Sequence, residues 1–141
     1  LREAHTDGDI YVQFPERNVI VAGGVVTAGT YPVLDYITGG WIGGLEAATR
    51  KLIEMADEDT LIVPHAGPPQ SIDHLRAQAQ MVTTIRERVE ALAIEAKSVE
   101  EMLAAGVTED FDARWGGDAH RFLTNMYRGM WWGGRMRGIV A

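Results

Sequence analysis

Histidines and short-range acidic residues are the groups in this chain suited to hold a metal ion or move a proton near neutral pH. His5 opens His5-Thr-Asp-Gly-Asp9, which sets Asp7 and Asp9 at alternate positions behind it. His65 stands in Leu61-Ile-Val-Pro-His-Ala-Gly-Pro68, where a short β-branched run breaks into a Gly/Pro loop. Between them, Val19-Ile-Val-Ala-Gly-Gly24 closes a third apolar run on two glycines. Imidazole and carboxylate at converging loop ends are the donors that zinc or a similar divalent ion takes. His5 and His65 are therefore candidate metal ligands, with Asp7 and Asp9 as further candidates. Each also has an ordinary structural reading: a loop histidine bonded to backbone, or an aspartate bonding nearby amides at a turn or strand start. His74 and His120 fall in the first turns of two helical patterns and read as surface residues.

Elements must hold these loops in place. Residues 9 to 14 alternate, with Ile10, Val12 and Phe14 on one face, and Pro15-Glu-Arg17 reads as a tight turn. Asn18 opens the next segment, through Ala22, and its run from Val19 is continuously apolar, which predicts a hairpin whose second strand is buried on both faces. Gly- and Tyr-rich residues 25 to 40 predict an ordered loop across the top of the sheet. A helix over about 41 to 56 follows, with Ile42, Leu45, Ala48, Leu52 and Ile53 in one stripe. Leu61 to Val63 is a short interior strand. Ser71 is placed to cap the longest helix, about 72 to 96, and Ser98-Val-Glu-Glu101 has capping-box spacing. Gly106 ends that short helix, Thr108 caps one further turn, and a last helix runs over about 118 to 131. The Gly/Arg-rich tail from about 133 is expected to fray. The expected organisation is a single α/β domain over 1–141.

Composition narrows the function. The 141 residues are 46% hydrophobic and include no cysteine, so disulfides and thiolate ligands are excluded. A net charge of -7 argues against nucleic acid as a partner. No window approaches the roughly 18 apolar residues of a membrane span, so no membrane partner and a soluble chain are expected, its compartment unknown but the cytoplasm preferred to secretion. The sequence opens at Leu1 with neither Met nor a leader profile, the expectation for a fragment or processed product.

Taken together, His5-Thr-Asp-Gly-Asp9, Asn18-Val-Ile-Val-Ala-Gly-Gly24, Tyr31-Pro-Val-Leu-Asp35 with Gly39-Gly40, and Asp59-Thr-Leu-Ile-Val-Pro-His-Ala-Gly-Pro68 carry a resemblance. Their order and spacing resemble the C-terminal half of a metallo-β-lactamase-fold hydrolase of the glyoxalase-II-like kind, from His5 to about Trp115. The resemblance implies half of an αββα sandwich: one mixed sheet with helices on one face. It also implies two divalent ions, usually zinc, and a metal-bound hydroxide that attacks an ester, thioester or lactam.

Carried over by position, His5 matches a metal ligand of the family. The family's bridging Asp falls on Gly24, and its last His ligand falls on Ala66, with His65 one position earlier. The remaining family ligands belong to an N-terminal half that precedes these motifs. The reading is a fragment or divergent member of these metal-dependent hydrolases with an incomplete site, in which zinc binds weakly or not at all. Its alternative is a non-catalytic structural or binding module that keeps the fold. In either case the expected partner is a second copy of the chain, as a homodimer, or the missing N-terminal half.

Overall fold

The computed structural model describes Leu1 and residues 3–131. The expected fraying tail from about 133 lies outside the described residues. Within them the chain forms a three-stranded mixed sheet and five α-helices. Strand β1 (Val12–Phe14) and strand β2 (Val19–Gly23) make an antiparallel hairpin, with Val12 opposite Val21 and Phe14 opposite Val19. The connection is a 3-10 turn, Pro15–Arg17, closed by Asn18 at φ 51°. Asn tolerates that left-handed geometry, and its side chain also bonds Asp57 and Thr60, tying the hairpin to the turn before β3. Strand β3 (Leu61–Pro64) pairs parallel with β2, so the sheet order is β1-β2-β3. The first strand is shorter than its alternating pattern suggested, since residues 9 to 11 lie outside the ladder.

The crossover between β2 and β3 contains helix α1 (Ile42–Met55). After β3 come α2 (Ile72–Ile94), α3 (Val99–Ala104), α4 (Glu109–Asp112) and α5 (Ala119–Trp131). The capping signals act as their chemistry dictates. Ser71 accepts a bond from His74 N–H, and Ser98 and Glu101 complete a reciprocal capping box. Gly106 ends this segment at φ +72°, a conformation that favours glycine. Thr108 departs from expectation, because it makes no side-chain cap bond to α4. Among the described residues no helix is long and apolar enough to cross a membrane.

The core lies on one face of the sheet. Ile20, Ala22 and Ile62 point into it and meet Leu45, Leu52, Leu75, Val82 and Ile85 of α1 and α2. The expectation that β2 is buried on both faces is corrected here. Burial alternates along β2 and β3, and the opposite face leaves Val12 44%, Phe14 49% and Leu61 52% exposed. The helices lie against one face only, and no described element covers the other.

Candidate functional site

Three loop ends meet at one cavity of about 160 Å3. His5, Gly24, His65 and Ala66 line it, together with Val26, Ala28, Tyr31 and Val33. Parallel pairing of β2 with β3 causes this convergence, because it brings both strands' C-terminal ends to the same edge. The ladder carries into the loop, where His65 N–H donates to the Gly23 carbonyl at 2.9 Å.

His5 is held from three sides. Its carbonyl accepts from Asp35 N–H at 2.9 Å, and its Nδ1 lies 2.5 Å from the Val33 carbonyl. A carbonyl only accepts, so Nδ1 is the donor, and the tautomer that fits this contact has its lone pair on Nε2. That tautomer is the one a metal-binding or proton-accepting imidazole uses. Gly24 packs directly against the ring: a Cβ there would overlap Cδ2 and lie 3.0 Å from Nε2. Gly40 packs as closely on the His5 carbonyl, so two glycines shape the seat of this histidine. His65 is exposed on the far rim. Asp7 and Asp9 do not line the cavity. Asp9 accepts from Thr6 N–H at 2.8 Å, Asp7 N–H donates to the Thr38 carbonyl, and both belong to the turn behind His5.

The cavity floor is residues 25 to 30, clamped from beneath by α2. The side chain of Gln78 is fully buried; it accepts from Thr27 N–H at 3.0 Å and donates to the Val25 carbonyl at 2.8 Å. One turn earlier, His74 Nε2 donates to the Thr27 carbonyl at 2.6 Å, and its ring lies 5.0 Å from that of Trp115. The surface reading of His74 is thus corrected. Burial holds its pKa below the ordinary value, with Arg114 acting in the same direction and the Thr27 carbonyl opposing. His120 is on the surface as expected, 3.5 Å from Glu100. Gln78 escaped the sequence reading, although a lone amide within the apolar stripe of α2 was the available signal. Tyr31 forms part of the wall, with its hydroxyl donating to Asp112 at 2.7 Å. Burial, followed by the Asp112 carboxylate, pushes that hydroxyl far above the usual phenol range.

Among the described residues, the histidines that the resemblance brings to this cavity are His5 and the offset His65. Gly24 offers no ligand atom, and the His5 ring fills the space that a side chain there would need. Among the described residues, no three His, Asp or Glu side chains gather in a metal-holding group. No protein-family model matches the chain, and no curated protein aligns with it significantly.

Proposed function

We propose that this chain is the C-terminal half of a divergent metallo-β-lactamase-like hydrolase, retaining His5 from the metal site and an offset His65. The supporting observation is the convergence of the loop ends bearing His5, Gly24 and His65 on one cavity, at the C-terminal edge of two parallel strands. The remaining ligands would come from the N-terminal half, seated on the sheet face that no described element covers. A second copy of the chain is the other occupant that fits this face. The alternative reading, a binding module without metal chemistry, is favoured by one observation. The His5 ring packs on Gly24 where the family would root a bridging carboxylate.

Elemental analysis after dialysis against zinc tests the incomplete site. We expect clearly less than one equivalent retained; stoichiometric zinc with both His5 and His65 in its shell overturns it. Zinc-dependent hydrolysis of an ester or thioester, abolished in His5→Ala, selects the enzyme. Lack of hydrolysis with a ligand still bound in the cavity selects the binding module.

A further inference from the structure

Two more concave surfaces adjoin the histidine cavity, and Val33 lines all three. One, of about 400 Å3, has His5 on its wall together with Arg121 and Asn125. The other, of about 190 Å3, lies beyond Val33 and is again lined by Arg121 and Asn125, with Thr30 and Phe122. A groove thus leads from the imidazole of His5 past Val33 to a guanidinium and a carboxamide. These two side chains are one helical turn apart on α5, which places them on the same face. Phe122 and Met126 anchor that helix in the core.

Arg121 shares with Arg17, Lys51, Arg114 and Arg128 a charge that meets no carboxylate among the described residues, and of these five it alone lines the groove. Arg50, Arg76, Arg86, Arg88 and Lys97 each bond a carboxylate. Among the described residues, Arg121 has no carboxylate within ion-pair distance. Two aspartates do line the groove, but both are engaged by backbone amides. Asp118 accepts from Arg121 N–H at 2.8 Å, and Asp35 accepts from Ile37 and Thr38 N–H at 3.2 and 3.3 Å. An unpaired guanidinium beside an amide donor, in an acidic protein, is chemically suited to a carboxylate. The walls nearer His5 are apolar, formed by Val26, Ala28 and Val33.

We propose that Arg121 and Asn125 anchor the carboxylate of a small organic acid or acid ester whose apolar body extends toward His5. This rests on the hydrolase reading for the substrate class it names, an acyl compound with a free carboxylate. Binding is measured without turnover, so the two readings fail separately.

The test is a nuclear magnetic resonance titration of the full chain with phenylacetate and with its neutral isostere phenylacetamide. Phenylacetate is expected to shift the Asn125 side-chain amide and the His5 ring, with phenylacetamide binding about ten-fold more weakly. Arg121→Gln should lower phenylacetate affinity about ten-fold and leave phenylacetamide unaffected, since a hydrogen bond to a charged group is worth roughly one decade or more. Arg121 is exposed, so this variant should retain the wild-type melting temperature. Equal affinity for the two probes, no binding of either, or shifts remote from Asn125 would each overturn the proposal. Carboxylate-selective binding without any zinc-dependent hydrolysis would leave the anchor standing and remove the hydrolase.

Discussion

The contact between Gly24 and His5 is where a single atom decides most. The ring lies against the glycine Cα, and its Nδ1 bonds the Val33 carbonyl. Gly24→Ala should displace the ring and break that bond, at a cost of about 1–3 kcal/mol, the usual range for overpacking a tight site. Urea denaturation measures the loss, and a shift of the His5 ring signals locates it. By the same geometry Gly24→Asp alone is expected to leave zinc affinity unchanged, because the new side chain competes with His5 for one space. Competition with a chelating dye reads that outcome. His74 makes a second prediction at this scale. Its folded-state pKa lies below the ordinary 6.5, so as pH falls the unfolded chain takes up the proton first. The stability from neutral His74 is therefore complete above about pH 6.5 and declines below it. His74→Gln, which keeps a donor for Thr27, should flatten the dependence of melting temperature between about pH 5 and 7.

At the level of elements, α2 works as a clamp on the cavity floor. Gln78 bonds the loop after β2 at both Val25 and Thr27 and approaches Thr49 Oγ1 of α1 at 3.4 Å. Replacing it with Ala leaves an amide and a carbonyl without partners and opens a void in the core. Each buried group left unsatisfied costs about 1–3 kcal/mol, so Gln78→Ala should lose about 3 kcal/mol or more. Thermal denaturation checks the magnitude. Hydrogen exchange of residues 25 to 30 should accelerate more than that of α1 or β3, because the clamp holds the loop rather than the sheet.

For the whole molecule, the sheet face that no described element covers is the dominant feature. Val12 stands opposite Val21, Phe14 opposite Val19, and Leu61 beside Val19, so one surface carries a contiguous set of apolar side chains. Burying such a surface contributes about 25 cal/mol per Å2, enough for association at modest area. We expect a dimer by sedimentation equilibrium at micromolar concentration. Leu61→Lys should shift the chain to monomer without lowering its intrinsic stability, since Leu61 is 52% exposed. An ideal monomer in the unmodified chain would show that this face tolerates water.

How much could be read beforehand follows from the range of the forces involved. Helix limits were legible because caps and apolar stripes act within a few residues: Ser71, Ser98 and Gly106 each end or start a segment by local chemistry. The hairpin, the short third strand and the mixed α/β class followed in the same way from alternation and β-branching. Continuous apolar runs also announced strands with two faces to cover, but composition does not state whether the same chain supplies both covers. Register and packing lie beyond local pattern. The parallel pairing of β2 and β3 brings Gly24 and His65 to one cavity, bonds to Val33 and Asp35 seat His5 there, and Asp7 and Asp9 stay in the turn behind. Likewise, only packing turned His74 inward beside Trp115, set Gln78 under the loop, and brought Arg121 into the groove beyond Val33. Sequence by itself determined which residues make elements, because those interactions are local. The tertiary structure decided which side chains meet, because residues tens of positions apart come together only once the sheet and helices have packed.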